Sequence, residues 1–350
     1  MEPATARRPP RHQYIDRKTG EVRTEKLIGD RIVNLLYSDF RENAPALYRA
    51  ATGRWASRFL GALAYDYLLK FRLKSPLAYF TALGIDHMEC VDPPAQFSTP
   101  REIFERKIRY WEVRPMPEER GTVVCPADSR ALVGSMAETS QLHIKNKFFL
   151  LDELLGPDKS EWQTTFSGGD FAIFRLTPDK YHYSHSPVSG RVVDHYEVYG
   201  GYHACNPAAV VSEVTPFSKN KRVVTIIDTD IPNGTKVGKV AMIEVVALMI
   251  GQVVQCLSAV KYESPRAVLK GMRLSRGAPK SLFRPGSSTD VLLFEPGRIR
   301  FSDDLLINQR RTDAESRFSL GFGGSLVETD VAVRQPLCAR VKPHPGLQVV

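Results

Sequence analysis

Two adjacent serines, Ser287 and Ser288, lie where a side-chain hydroxyl could attack the polypeptide backbone itself. Pro285 and Gly286 precede them, and the apolar run 291–294 follows shortly after. This composition predicts a tight turn that leads directly into a buried strand. Because such a turn can hold the preceding carbonyl carbon within reach of a serine hydroxyl, the segment could cleave its own peptide bond. Taken alone, the same residues are also typical of an ordinary loop without any chemistry.

Two histidines form a second candidate cluster. His182 and His185 lie three positions apart in the stretch 181–190, between a predicted strand and a turn that contains proline and glycine. A histidine at such a place can act as a general base near neutral pH, while its neighbour moves a proton elsewhere. Metal binding is the alternative for this pair. No cysteine or carboxylate lies at a matching short spacing, so we expect no metal.

A carboxylate that follows a β-rich run is the third candidate. Asp128 lies directly after Cys125-Pro126-Ala127, at the end of the run that begins at Gly121. A carboxylate in this place can orient the imidazole ring of a histidine. The alternative is an Asx turn, in which the side chain only caps its own backbone.

The elements that must position these residues change in character along the chain. Residues up to about Tyr110 have apolar side chains at spacings of three and four, which predicts helices, and Thr99-Pro100 predicts the start of one of them. From Gly121 onward, short β-rich runs between glycine, proline and asparagine turns predict strands. We therefore predict an α+β fold with a helical N-terminal region (1–115) and a β-rich catalytic domain (116–350). The predicted strands are 121–124, 171–176, 191–199, 222–228, 237–246 and 291–294, with a short helix at 144–155.

The segment 54–85 combines apolar and basic residues at helical spacing. Phe59, Leu63 and Tyr67 recur on one side, interrupted by residues such as Arg58. This pattern predicts either a helix that lies in a membrane interface or a helix that packs on the core of the protein itself. No window approaches the run of about 18 apolar residues that a spanning helix needs.

Composition limits the class of protein. The chain has 350 residues, of which 43% are hydrophobic and 25% charged, so it is long enough for one large or two smaller globular domains. Its formal net charge of +9 favours an anionic partner such as acidic lipid, although solubility alone is the alternative. The five cysteines are scattered without a CxxC pair, which fits a reducing compartment and disfavours a disulfide framework. The first eleven residues lack the apolar core of a signal peptide.

In combination, these motifs resemble the phosphatidylserine decarboxylase family. The stretch 176–190 is similar to the family signature Tyr-His-x-x-His-x-Pro-x-x-Gly, and 126–128 is similar to its Pro-x-Asp-Gly element. The stretch 286–289 resembles the self-cleavage site Gly-Gly-Ser-Thr. Two residues depart from the family pattern, since Ser287 and Ser129 stand where glycine is usual. Further segments in family order are 98–107, 114–115, 144–156, 206–207 and 220–222.

The resemblance implies a mechanism in two stages. In maturation, Asp128 would orient His185, His185 would deprotonate Ser288, and Ser288 would attack the carbonyl of Ser287. The chain would split into a β subunit (1–287) and an α subunit (288–350), and residue 288 would become a covalent pyruvoyl cofactor. That group would accept electrons when phosphatidylserine loses carbon dioxide and becomes phosphatidylethanolamine, with His182 as candidate proton donor.

The resemblance also implies partners and a location. We expect a cytoplasmic protein that is peripheral on a membrane, contacts phosphatidylserine and an anionic surface, and binds no nucleic acid. After cleavage its two subunits would stay together, and a homodimer is the assembly we consider. Cleavage after Gly286, with the pyruvoyl group formed from Ser287, stays open. Two alternative functions are a soluble pyruvoyl-dependent amino-acid decarboxylase and an unprocessed lipid-binding relative.

Overall fold

The computed structural model describes residues 11–27, 75–137, 148–201, 206–212, 215–249 and 252–341. Most of the predicted interfacial segment 54–85 lies outside these ranges, and so does the first part of the helix predicted at 144–155. Among the described residues, no helix has the length and apolar character needed to cross a membrane.

Strands make up most of the framework around the candidate residues. In chain order they are β1 (Gln13–Asp16), β2 (Val22–Thr24), β3 (Thr122–Val124), β4 (Ser129–Ser135), β5 (Asp170–Leu176), β6 (Tyr183–His185), β7 (Gly190–Val198), β8 (Arg222–Asp228), β9 (Lys239–Met249), β10 (Val253–Gln255), β11 (Arg273–Leu274), β12 (Pro279–Phe283), β13 (Gly286–Phe294), β14 (Ile299–Phe301), β15 (Glu328–Val331) and β16 (Pro336–Arg340).

These strands form one large sheet and two small ones. The large sheet has ten strands in the order β11-β7-β8-β9-β13-β5-β4-β15-β1-β2, and the small sheets have the orders β10-β12-β6 and β14-β16-β3. Strand β13 lies near the centre of the large sheet, with β9 and β5 antiparallel to it on either side. The segment that contains the adjacent serines is therefore held by two neighbouring strands.

Short helices surround the sheets. They are α1 (Pro76–Leu83), α2 (Pro100–Phe104), α3 (Tyr110–Val113), α4 (Leu151–Leu155), α5 (Ser160–Phe166), α6 (Pro207–Ser212), α7 (Pro216–Lys219), α8 (Asp303–Gln309) and α9 (Arg317–Phe322). The predicted start at Thr99 is confirmed, because Thr99 and Glu102 form a reciprocal capping box and Pro100 occupies the first turn of α2.

The α+β fold class is confirmed, and each of the six predicted strands overlaps an observed one. The prediction of helix for all residues up to about 110 is wrong for the segment 13–24. This segment forms the hairpin β1-β2, and β1 pairs in parallel with β15 near the other end of the chain. The strand β1 pairs with a partner about 300 positions away (Tyr14 pairs with Glu328), which a local pattern cannot reveal.

The large sheet is buried on both faces, and this explains its long apolar runs. On β13, Val291 and Leu293 join one hydrophobic cluster, whereas Leu292 and Phe294 join another. Because successive side chains of a strand point to opposite faces, Ser288 and Asp290 lie on the same face as Leu292.

The turn predicted at 286–289 is also corrected. These residues form the first part of β13, and the irregularity is a bulge between Gly286 and Ser288 rather than a turn. Gly286 has a φ of 148°, a conformation that side chains with a Cβ rarely adopt. Pairing with β9 and β5 on both sides outweighs the local preference of Gly-Ser-Ser for a turn.

Candidate active site

His185 is held in one orientation by contacts to both ring nitrogens. Its backbone N–H donates to the carbonyl of Pro126 over 2.7 Å, which ties β6 to the segment before Asp128. In the ring, Nδ1 lies 2.9 Å from the carbonyl oxygen of Gly277, and Nε2 lies 3.0 Å from the Tyr181 hydroxyl. A carbonyl oxygen only accepts, so Nδ1 carries the proton and Nε2 presents its lone pair to the Tyr181 hydroxyl.

The environment keeps this ring uncharged. His185 is completely buried, and burial lowers its pKa to about 4. At neutral pH the ring is therefore the free imidazole, and Nε2 is an available basic atom. The negative charge of Asp128 acts in the opposite direction and favours the protonated ring. A general base needs this combination: it starts neutral, and the charge that it acquires is stabilised.

A chain of hydroxyl groups extends from His185 to the backbone of another segment. The hydroxyl oxygens of Tyr181 and Tyr262 are 2.7 Å apart. The Tyr262 oxygen accepts from the N–H of Ile108 over 3.1 Å and lies 2.9 Å from its carbonyl oxygen. Tyr110 packs edge-on against His185 with ring centroids 4.7 Å apart. Burial raises the pKa of Tyr181 well above its usual value, so the hydroxyl that faces Nε2 stays protonated.

Asp128 binds an arginine rather than the histidine ring. Arg114 donates from Nε to Oδ1 over 3.1 Å and from Nη2 to Oδ2 over 2.7 Å, and the backbone N–H of Val333 donates to Oδ1 over 2.7 Å. Burial opposes ionisation, but the charge and hydrogen bonds of Arg114 outweigh it and lower the pKa of Asp128. In the described residues no hydrogen bond joins Asp128 to His185, so the orienting contact expected from the sequence is made by Gly277 instead.

Ser288 is buried in β13 and faces the segment that leads to Asp128. It pairs with Leu176 on β5 and with Val246 on β9. Directly paired residues point to the same side of a sheet, and these two side chains pack in one hydrophobic cluster with Ala127. The fold thus brings Ser288 to the side of the large sheet on which Ala127, the residue before Asp128, packs. In the part of the chain that the structure describes, no hydrogen bond connects Ser288 to His185.

His182 lies in an apolar environment on the same segment as His185. It is fully buried, and its ring stacks on Phe104 with centroids 3.5 Å apart. Neither ring nitrogen has a hydrogen-bond partner of good geometry. Burial, assisted by the positive charge of Arg106, lowers the pKa of His182 to about 3. The ring is neutral at pH 7 and has two unused polar atoms.

One cluster elsewhere has residue types that bind metal ions. His12, Glu25 and Glu328 place one ligand atom each within 4.8 Å of one another. However, the guanidinium of Arg175 donates to both carboxylates, including contacts of 2.6 Å to each. Because Arg175 already donates hydrogen bonds to both carboxylates, a metal ion would have to compete with it. We therefore interpret the cluster as an ion-pair network that holds the β1-β2 hairpin.

Four groups around His185 and Asp128 were not predicted as site residues. Tyr181 and Arg114 both belong to segments that resemble family motifs, so their positions were available as a signal. The carbonyl of Gly277 and the hydroxyl of Tyr262 carry no such signal. A backbone carbonyl is independent of residue type, and the loop that contains Tyr262 reaches the site only through tertiary packing.

Comparisons with known proteins agree with the motifs. Residues 101–318 match the sequence family described as phosphatidylserine decarboxylase. A phosphatidylserine decarboxylase proenzyme of Fusobacterium nucleatum is 28% identical over 310 residues, which is 88% of this chain and 95% of that protein. One of Chlamydia trachomatis is 31% identical over 295 residues, covering 84% and 90%. Phosphatidylserine decarboxylase proenzyme 3 of Schizosaccharomyces pombe is 30% identical over 320 residues, which is 87% of this chain and 30% of the fungal protein.

Proposed function

Because the chain belongs to the phosphatidylserine decarboxylase family, whose members are carboxy-lyases, we propose that it converts phosphatidylserine to phosphatidylethanolamine and carbon dioxide. We further propose that it first cleaves itself between Ser287 and Ser288 and forms a pyruvoyl group at position 288. The observation that carries this proposal is His185: a neutral imidazole, fixed at Nδ1, whose unprotonated Nε2 is held by the Tyr181 hydroxyl and could act as a base once that hydroxyl moves away.

Self-cleavage begins with a proton transfer. His185 Nε2 takes the proton of the Ser288 hydroxyl, and the oxygen attacks the carbonyl carbon of Ser287. The peptide nitrogen accepts a proton as its bond to that carbon breaks, and an ester replaces the amide. Loss of the α-proton of residue 288 then expels the Ser287 carboxylate, which splits the chain and leaves a dehydroalanine. Water adds to this residue and ammonia leaves, which gives the pyruvoyl group. Tyr181 must release Nε2 before this transfer, since its hydroxyl occupies the lone pair. Catalytic contacts are commonly looser in a resting state than during the reaction.

Asp128 contributes through its charge. It is ionised and buried, and its field favours the imidazolium that forms when His185 accepts a proton. Arg114 holds this carboxylate in place with two hydrogen bonds. Asp128 therefore supports the base without contacting it, and Gly277 provides the orientation.

The site is suited to retain a pyruvoyl group. Ser288 is the required precursor, and residues 288–294 of β13 pair with β5 and β9, both of which would belong to the β subunit. The α subunit would consequently remain within the sheet after cleavage. When present, the group would supply an electron sink for the bond to the departing carboxylate. His182 is the proposed proton donor to the product. Because its ring is fully buried and neutral at pH 7, it would first have to take up a proton once the substrate is bound.

The membrane is the proposed source of the substrate. The positive net charge suits an anionic lipid surface, and the segment 54–85 is the proposed contact. We also propose that the protein is cytoplasmic, peripheral on the membrane and a homodimer.

Co-sedimentation with vesicles that contain phosphatidylserine, compared with vesicles of phosphatidylcholine alone, tests the membrane contact. Turnover of a free amino acid without vesicle binding would instead identify a soluble amino-acid decarboxylase.

Intact mass analysis of the purified protein tests the cleavage. We expect two fragments, 1–287 and 288–350, and a terminus on the smaller fragment that reacts with hydrazine or borohydride. Ser288→Ala should give one full-length band on a denaturing gel, whereas Ser287→Ala should still be cleaved. The reverse result would place the pyruvoyl group at 287. A full-length wild-type chain without a reactive carbonyl would refute the proposal and identify an unprocessed relative.

A further inference from the structure

One hydrogen bond joins the strand of the proposed base to the strand of the proposed nucleophile. Ser184 Oγ donates to Asp290 Oδ2 over 2.7 Å, and both residues are completely buried. Ser184 directly precedes His185 on β6, and Asp290 lies two residues after Ser288 on β13. The bond therefore crosses between the two reactive strands, one residue from His185 and two residues from Ser288 along the chain.

This bond belongs to two polar pairs that face each other between sheets. In the three-stranded sheet, Ser184 pairs with Ser281, and in the ten-stranded sheet, Asp290 pairs with Glu244. Ser184 donates to Asp290, and Ser281 donates to Glu244. Since paired residues point to the same side of a sheet, two neighbouring hydrogen bonds connect the sheets and fix how one lies against the other.

A bulge adds a cation to the same cluster. The register of β12 shifts between Pro279 and Ser281, and a bulge sets two residues of one strand opposite one residue of its partner. Both Lys280 and Ser281 consequently reach Glu244, and Lys280 Nζ lies 2.6 Å from Glu244 Oε2 with both side chains fully buried. The ammonium group thus balances the charge of Glu244.

The surroundings of Asp290 favour its protonated form. Burial and the adjacent charge of Glu244 raise the pKa of Asp290 well above its usual value. The neutral carboxyl still accepts the hydrogen bond from Ser184, and it avoids a second buried negative charge next to Glu244.

We propose that Ser184 and Asp290 are positioning residues for self-cleavage, because their hydrogen bond sets the placement of His185 relative to Ser288. The inference rests on the proposed function, since this placement matters only if His185 deprotonates Ser288. Both residues act through their neighbours, and no proton transfer is assigned to either. A misplacement of about 1 Å between reacting groups can slow a reaction about 100-fold, so loss of this bond has a measurable consequence.

The rate at which a precursor made by cell-free synthesis is cleaved tests the proposal. We expect Ser184→Ala and Asp290→Ala each to slow cleavage at least about 10-fold. Asp290→Asn should remain within about 3-fold of wild type, because the neutral amide oxygen accepts the same hydrogen bond. The double variant Ser184→Ala/Asp290→Ala should be no slower than the slower single variant, since both changes remove one shared contact.

Ser316→Ala is the matched control for a lost buried hydroxyl. Ser316 Oγ donates to the carbonyl of Leu326 over 2.7 Å and belongs to neither reactive strand. The Ser316→Ala variant should lower the melting temperature by about as much as Ser184→Ala does, and it should be cleaved at the wild-type rate. If wild type is cleaved and Ser184→Ala is cleaved equally fast, or if Ser316→Ala is slowed as much, the positioning role is overturned and the proposed function stands. A wild-type chain that is never cleaved refutes both.

Discussion

Replacing Tyr181 with phenylalanine removes the hydroxyl oxygen that contacts the acceptor nitrogen of His185. The tyrosine hydroxyl donates to the unprotonated ring and therefore stabilises the neutral form. Without this donor the neutral form loses stability relative to the imidazolium. The pKa of His185 should consequently rise in the Tyr181→Phe variant.

The size of the change follows from the contact. A buried hydrogen bond between neutral groups contributes about 0.5–1.5 kcal/mol, and about 1.4 kcal/mol corresponds to a tenfold change in a protonation equilibrium. The pKa of His185, about 4 in the intact site, should therefore move toward about 5. At pH 7 the ring remains neutral in both proteins, so the fraction of active base does not change.

NMR titration of the His185 ring in the Ser288→Ala precursor measures this directly, because that precursor should remain uncleaved. Tyr183→Phe is the matched control: Tyr183 stacks on Tyr181 with centroids 5.4 Å apart, but in the described structure its hydroxyl makes no hydrogen bond to His185. The control should titrate as the parent does. A midpoint in Tyr181→Phe that is unchanged or lower would show that Tyr181 does not control the lone pair of Nε2.

Three further outcomes follow from the buried charges. Asp128→Asn should lower the free energy of urea unfolding by about 1–3 kcal/mol, because Arg114 loses a buried anionic partner. It should also slow self-cleavage, because the imidazolium of His185 loses its stabilising charge. A variant that is cleaved at the wild-type rate would exclude this role of Asp128. Acidification below pH 6.5 should lower the free energy of unfolding, because the pKa values of His182 and His185 are lowered in the folded state and the unfolded state therefore binds more protons. His185 alone should account for a loss of about 3 kcal/mol in the free energy of unfolding by pH 4. A free energy of unfolding that stays constant between pH 6.5 and 5 would contradict this. Arg175→Met should cost about 3–5 kcal/mol at pH 7. The loss should be smaller at pH 4, because Arg175 is the main group that lowers the pKa of Glu328 to about 2 against the effect of burial, and without it this carboxylate can take up a proton. An equal loss at both pH values would refute the interpretation of that network.

Local sequence was sufficient for features that depend on a few neighbouring residues. The capping box of Thr99 and Glu102 needs only a spacing of three, and the strand 291–294 needs only a short apolar run. The positions of His185 and Ser288 came from motifs of about ten residues. In each case the physical cause acts within one turn or one strand, so it is visible in the printed order of residues.

Tertiary structure decided which groups meet. Asp128 lies two positions from Pro126, which binds the backbone of His185, yet its carboxylate pairs with Arg114 and the ring is oriented by Gly277. These partners come from distant segments, and packing alone selects among the donors and acceptors that the chain offers. The residue types thus determined which acids, bases and hydrogen-bonding groups the chain offers. The arrangement of the sheets determined which of these groups contact one another, because hydrogen bonds form over about 3 Å in space whatever the separation along the chain.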